Sequence, residues 1–419
     1  MGAPVHVIGL GVANGARLSA SAEQALAEAS AVIGSPRQLE LLDGLGVQMS
    51  AERHELPKLA ELDALLDRLS DAPLCVLASG DPLFYGIGRW LTRHTEPARL
   101  HFYPAVSSIQ AMCHRVGLSL QDCRVVSLHG RPLSGLNREL KRNRDLVILT
   151  DRHSHPRALA EACVAANFGD SCIHVGEDLG GPDERLREFG AAALATLPEL
   201  DCSALNVCVI RVRGPGGVLP EFPGIDDRAF ASDGAPGEGM FTKREVRLAI
   251  LALLQPGDGD VIWDIGAGCG GVASSLAHWN ARVSVHAIEP HPERRACLEE
   301  NRRRFGCEAN LHIVDGRAPA VLDALPAANK VFIGGSDGEL DAILAAAWPT
   351  LPDGGLLVAS AVTADTNARL QAFAAQLDPA QVETLRVAVS RGEVSANGID
   401  YHAKHPVTLY RFVSDGGER

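Results

Sequence analysis

Short apolar runs recur along the chain, separated by longer stretches in which apolar positions return every three or four residues. The first pattern predicts strands and the second predicts helices. In the N-terminal half, strands are predicted at residues 5–11, 74–78, 124–128, 146–150, 172–175 and 206–212, with helices such as 21–30, 58–69 and 157–166 between them. The C-terminal half opens with a helix over 243–254, followed by strands at 261–265, 283–288, 311–314, 331–333 and 356–359 with helices between. Residues 385–390 and 406–412 lie close enough in sequence to form a terminal antiparallel pair. Alternation of this kind specifies α/β architecture. Periodicity stops between Arg213 and Gly239, where Gly214-Pro-Gly-Gly, Pro220, Pro223-Gly224 and Gly234-Ala-Pro-Gly-Glu-Gly239 leave no room for a regular element. The expected organisation is a domain at 1–213 and a second domain at 240–419, joined by a linker at 214–239 that is partly draped over the second domain.

A length of 419 residues fits two cores better than one. With 46% hydrophobic and 22% charged residues the balance is that of a soluble globular protein. A net charge of −13 argues against a nucleic-acid partner, and 5% aromatics argue against a base-stacking platform. Ten cysteines are scattered from Cys75 to Cys307 with no C-x-x-C pair, which predicts free thiols rather than a disulfide framework or a zinc site. His153-Ser-His155 after a strand reads as a solvated loop, so no metal site is expected. The first residues lack a signal core, and no apolar run approaches the ~18–20 residues of a membrane span. A cytoplasmic protein without a membrane or nucleic-acid partner is expected.

The strand at 261–265 runs through Asp264-Ile-Gly-Ala-Gly-Cys-Gly-Gly271 into a helix. Gly266, Gly268, Gly270 and Gly271 permit chain reversal and close approach of backbone to a ligand, at a helix N-terminus that favours an anionic group. Glu289 closes the next strand about 20 residues later, where an acid can accept hydrogen bonds from a ribose diol. Gly266, Gly268 and Gly271 also satisfy G-x-G-x-x-G, so the spacing alone leaves a nicotinamide site open. Upstream, Thr242-Lys-Arg-Glu245 has capping-box spacing. Yet Lys243, Arg244 and Arg247 crowd cations into the first helical turn against the dipole, which suits an anion-binding pocket.

In the N-terminal half, Val7-Ile-Gly-Leu-Gly11 is a glycine turn after a strand. It is followed by Ser79-Gly-Asp-Pro-Leu-Phe-Tyr-Gly86, Pro104-Ala-Val-Ser-Ser-Ile-Gln110, His129-Gly-Arg131, Leu149-Thr-Asp151 and Val175-Gly-Glu-Asp-Leu-Gly-Gly-Pro. Each alone is compatible with ordinary turn chemistry.

As an ordered set these N-terminal segments resemble the tetrapyrrole methylases, over about residues 3–213. Ala105 departs from the commoner Pro-Gly-Val-Ser-Ser, and Gly11-Val-Ala-Asn-Gly15 lacks the usual proline. Asp264-Ile-Gly-Ala-Gly, Glu289 with Asn301, Val314-Asp-Gly-Arg-Ala-Pro319 and Val331-Phe-Ile-Gly-Gly335 resemble class I methyltransferases. Met240-Phe-Thr-Lys-Arg-Glu-Val-Arg247 and Gly224-Ile-Asp-Asp-Arg-Ala-Phe230 narrow that likeness to the decarboxylating methyltransferases of corrin-ring synthesis. Ser275 stands where that family usually has Glu, and Arg317 where it often has an acid.

The resemblance implies a two-lobed tetrapyrrole methylase fold followed by a Rossmann-like class I methyltransferase fold, with one S-adenosylmethionine site in each. The first site would involve Gly9, Gly11, Gly80, Asp81, Ser107, Ser108 and Thr150. The second would use Asp264 and the Gly266–Gly268–Gly270 loop for the methionine end, Glu289 for the ribose, Asp315 and Gly316 beside the adenine, and Gly334 near the methyl. Arg131, Thr242, Lys243, Arg244, Arg247, Gly335 and Arg391 are the expected substrate contacts, because arginine suits bidentate grip on peripheral carboxylates. The implied reaction of cobalamin biosynthesis methylates meso carbons 5 and 15 of precorrin-6B and removes the ring C acetate carboxyl, giving precorrin-8X. No general acid or base is indicated. The expected partners are the precorrin and further copies of the chain, as a homo-oligomer. A nicotinamide-dependent oxidoreductase, an RNA methyltransferase and a non-catalytic tetrapyrrole carrier are the alternatives.

Overall fold

The computed structural model describes residues 2–12, 17–198, 200–396 and 398–415, so part of the segment Gly11-Val-Ala-Asn-Gly15 lies outside the described residues. The chain divides into two compact units. One comprises Met1–Leu133 and Asn143–Gly214, the other Ser134–Arg142 and Pro215–Arg419. Among the described residues, no helix is long and apolar enough to cross a membrane.

The first unit holds two five-stranded sheets. Strands β1 (Val5–Leu10), β2 (Ala31–Gly34), β3 (Glu52–Glu55), β4 (Leu74–Ser79) and β5 (Leu100–Tyr103) form a parallel sheet in the order β3-β2-β4-β1-β5. Strands β6 (Cys123–Ser127), β7 (Asp145–Leu149), β8 (Cys172–Glu177), β9 (Arg185–Gly190) and β10 (Asn206–Arg211) form a mixed sheet in the order β6-β7-β10-β8-β9. Between the sheets in sequence runs the helix Ser108–Val116. It starts in a reciprocal capping box of Ser107 with Gln110 and stops at Gly117, whose φ of 63° is the left-handed cap that glycine provides without strain.

The second unit contains β11 (Val261–Ile265), β12 (Ser284–Glu289), β13 (Leu311–Asp315), β14 (Lys330–Ile333), β15 (Leu356–Ala361), β16 (Val382–Val387), β17 (Ser390–Ser395), β18 (Gly398–Ala403) and β19 (Val407–Val413). Seven of them form one sheet, β13-β12-β11-β14-β15-β19-β16, in which only the pairings of β19 are antiparallel. The predicted terminal pair is therefore present as β16 and β19. Alternation along β11 explains the two-sided burial. Ile262 faces a core with Ile250, Leu254, Val272 and Leu276, whereas Trp263 and Ile265 face another with Leu340, Ile343 and Leu344. Helices on both faces are what a mainly parallel sheet requires. The order reverses at β11 and β14, so the strand ends there open a crevice, the usual ligand position in such sheets.

Four strands of the first unit, β2, β3, β5 and β9, and the hairpin β17–β18 have no counterpart in the predicted set. Strand β3 reads Glu-Arg-His-Glu and is mostly exposed at a sheet edge, so no apolar alternation marks it. Residues 215–239 pack with the second unit instead of spanning free: Ile225 and Phe230 sit in its core against Phe241 and Val246.

Candidate active site

At the crevice, Gly266 and Gly268 have φ of 70° and 57°. A side chain on Gly266 would run into Gly335, and one on Gly268 would run into the Met240 carbonyl, so backbone approaches backbone here as only glycine permits. The amides of Gly334 and Gly335 donate to the Ile265 carbonyl, at 2.9 and 3.3 Å, and draw the β14 loop against the β11 loop. Glu289, at the end of β12, is buried. Its carboxylate accepts from the Gly268 amide (2.8 Å) and the His291 amide (3.0 Å), with Arg294 3.9 Å away.

These loops floor a cavity of about 960 Å³. Of the expected site residues, Gly266, Gly268, Glu289, Gly316, Gly334, Gly335, Thr242, Lys243, Arg244 and Arg391 line it. Four others do not. Asp264 is buried behind the glycine loop, and burial, opposed by the Ala273 amide and reinforced by Glu289, pushes its pKa up to about 7. Gly270 makes the turn into the helix Gly271–Trp279, where a Cβ would collide with Leu298. Asp315 turns outward to Arg295 at 2.7 Å. Arg247 is 2% exposed, its guanidinium bonded to the carbonyls of Thr242 and Ile225 and to Asp227 at 3.2 Å. The expectation that Arg247 grips substrate is therefore corrected: its donors are consumed inside the protein.

The capping-box reading of Thr242 and Glu245 is corrected as well. The helix Arg244–Leu254 has Lys243 at its N-cap without a side-chain cap. Asp227, from the preceding loop, accepts from the Arg244 amide instead (2.9 Å). Glu245 turns to Arg391, whose guanidinium also reaches Asp227, at 2.7 and 2.8 Å respectively. Two carboxylates thus relieve the cations that crowd this helix start. Asp227 carries this arrangement, and neither it nor the facing hairpin was singled out in the sequence; the alternating charges of Arg391 and Glu393 are the one signal there that marks the facing wall. Ser275 donates to the Gly271 carbonyl at 2.8 Å, and Arg317 pairs with Asp337 at 3.0 Å on the cavity rim. Asn301 is structural, tying Cys269 and Ala231 together through its side chain.

In the first unit, Gly9, near the end of β1, meets Gly80 and Ser107 just beyond the end of β4. A Cβ on Gly9 would strike the Gly80 carbonyl, and one on Gly80 would lie 2.5 Å from Ser107 Cα. Gly11 follows β1 directly, and Ser108 opens its helix. Asp81 accepts from the Leu83 amide at 2.9 Å, fixing the Gly-Asp-Pro turn. Thr150 closes β7 in the other sheet and donates to the Asn206 carbonyl at 2.7 Å. Beside it, Asp151, His155, Ser203 and Asn206 line a cleft of about 350 Å³. Arg131 lies 5.8 Å from the Tyr85 ring and donates to the Ser127 carbonyl. His155 caps the helix Pro156–Ala165, and His153 lies beside Arg152.

Residues 4–195 match the tetrapyrrole (corrin/porphyrin) methylases, and residues 229–414 match a precorrin methyltransferase domain. Over 411 residues the chain is 37% identical to a precorrin-6Y C(5,15)-methyltransferase [decarboxylating] from a Sinorhizobium species, covering 97% of this chain and 95% of that protein. The chain belongs to this family. It is also similar to the protein of the same name from Mycobacterium tuberculosis, at 36% identity over 87% of this chain and 89% of that one. A solved C-terminal domain of a precorrin-6Y C5,15-methyltransferase from Rhodobacter capsulatus is 30% identical, with a TM-score of 0.42, and covers 46% of this chain and 100% of that chain. The chain is accordingly a methyltransferase with an N-terminal tetrapyrrole methylase fold and a Rossmann-like C-terminal fold. With the family shown to be a methyltransferase, the nicotinamide reading falls away.

Proposed function

We propose that the protein methylates precorrin-6B at meso carbons 5 and 15 and removes the carboxyl of its ring C acetate, producing precorrin-8X. The observation that carries this reading is the cavity over Gly266, Gly268 and Glu289. It has a close-packed glycine floor, a buried acid and a lining rich in charged side chains. A glycine floor that a Cβ would obstruct fits S-adenosylmethionine. Gly266 and Gly268 would border its methionine end, Glu289 its ribose, and Gly316 its adenine. When bound, the cofactor supplies an activated methyl on a sulfonium. The chain contributes positioning and exclusion of water, which brings a carbon nucleophile into line with the methyl. The electron pair left by the departing carbon dioxide passes into the conjugated macrocycle, and a proton from solvent completes the new ring C methyl, so no protein base is required to break that bond.

A second cofactor site, in the first unit around Gly9, Gly80, Asp81, Ser107 and Thr150, belongs to the same proposal. So does a cytoplasmic protein with no nucleic-acid partner, a reading the net charge of −13 supports. Homo-oligomerisation is supported by Val394, Ile399 and Tyr401, which are exposed together on one face of the hairpin β17–β18. The deciding assay incubates the full chain with precorrin-6B and methyl-labelled S-adenosylmethionine. Two methyls gained and one carbon dioxide lost per macrocycle are expected, and no incorporation into the tetrapyrrole refutes the reading.

A further inference from the structure

Among the described residues, the hairpin β17–β18 is a separate two-stranded sheet with no ladder to the seven-stranded one. Two strands alone are marginal in water, so something else must hold them. The register puts Arg391 opposite His402 and Glu393 opposite Asp400 on one face, and Gly392 opposite Tyr401 and Val394 opposite Ile399 on the other. The first face supplies Arg391, Glu393 and His402 to the cavity lining, and Lys404 and His405 join it just beyond β18. At its base, the hairpin is held by Arg391 on Asp227 and Glu245, and by the Lys404 amide on the Val389 carbonyl at 2.8 Å.

Charge accounting on the cavity wall separates the lining cations into two groups. Arg228 faces Asp226, Arg244 faces Asp226 and Glu245, Arg294 faces Asp233, Arg317 faces Asp337, and Arg391 faces Asp227 and Glu245. Lys243 and Lys404 differ: among the described residues neither has a carboxylate within ion-pair distance. Lys243 donates to the Gly237 carbonyl at 3.0 Å and lies 4.0 Å over the Phe241 ring. Lys404 is exposed at the hairpin's end. An ammonium is a strongly hydrated point charge that accepts a carboxylate from many directions, whereas the guanidinium forks here are already engaged.

We infer that the hairpin is the substrate-recognising wall of the C-terminal site, with Lys404 taking peripheral carboxylates of the macrocycle while Lys243 takes others from the helix side; His402, like the arginines, already faces a carboxylate, Glu393 at 3.7 Å. Arg391 is then a positioning residue, which anchors the hairpin rather than touching substrate. This assignment rests on the reading of the cavity as a tetrapyrrole site, and it replaces arginine with lysine as the gripping residue.

The test uses the full chain, with KM for precorrin-6B measured at saturating S-adenosylmethionine and the cofactor's Kd measured by titration calorimetry. Lys404→Ala is expected to raise the tetrapyrrole KM about tenfold while leaving kcat and the cofactor Kd within about twofold, the size of effect a charge-assisted hydrogen bond carries. Lys404→Arg restores most of the affinity, because the charge is retained. Arg391→Ala, which releases the hairpin, raises the same KM and exposes the hairpin to limited proteolysis. An unchanged KM in both Lys404→Ala and the Lys243→Ala/Lys404→Ala pair, with an active wild type, overturns the assignment alone. A wild type that methylates no tetrapyrrole overturns the functional reading and this assignment with it.

Discussion

At the scale of single residues, Asp264 is the most consequential group that the cavity does not touch. Its carboxyl is protonated up to about pH 7 in the folded chain, against an ordinary value of 3.8. Between those two pH values the folded state holds a proton that the unfolded state has lost, so stability falls as pH rises through the window and levels off above it. Asp264→Asn removes that dependence. Urea titrations at successive pH values are expected to show the variant gaining on the wild type from pH 4 to 7, by an amount on the order of a few kcal/mol. Gly268→Ala tests the floor of the cavity. Its φ of 57° and the Met240 carbonyl behind it leave no room for a methyl, so cofactor affinity at this site is expected to fall at least about tenfold by calorimetry. Glu289 was legible in the sequence because strand, glycine turn and acid fall at fixed spacing. Arg247 was not, because its helix face says nothing about which distant carboxylate will bury it.

Among elements, the start of the helix Arg244–Leu254 shows tertiary structure overruling local sequence. Thr242 and Glu245 have the spacing of a capping box, yet Asp227 takes the Arg244 amide and the Arg247 guanidinium together. Removing one partner of a buried ion pair strands the other without water. Asp227→Ala is therefore expected to cost about 3–5 kcal/mol of stability in denaturant unfolding, several-fold more than Asp226→Ala at its half-buried neighbour. Strands whose alternation is apolar, such as β11 and β10, were readable from sequence. The edge strand β3 and the hairpin β17–β18 were not, since nearly all their positions are exposed and no apolar alternation marks them.

For the whole molecule, the sequence pattern announced two α/β bodies and a glycine- and proline-rich stretch near residue 214. It could not reveal which body claims the short segment Ser134–Arg142. Calorimetric titration of the full chain with S-adenosylmethionine is expected to give two equivalents bound. One equivalent should remain in Gly268→Ala, and a stoichiometry of one in the wild type would remove the N-terminal cofactor site from the proposal.

Ser134–Arg142 is packed into the second unit. Asn137 and Arg138 reach the backbone at Arg304 and Gly306, Arg138 also bonds Asn310 at 3.0 Å, and Ser134 bonds Glu308. Gene fission at the proline- and glycine-rich junction would consequently yield unequal offspring. The downstream product would be missing a piece encoded upstream, and the upstream product would carry a loop with nothing to grasp. Expressed alone, the downstream portion keeps Arg304, Gly306, Glu308 and Asn310 without those partners, and adding the short stretch in trans as a peptide is expected to raise its unfolding midpoint.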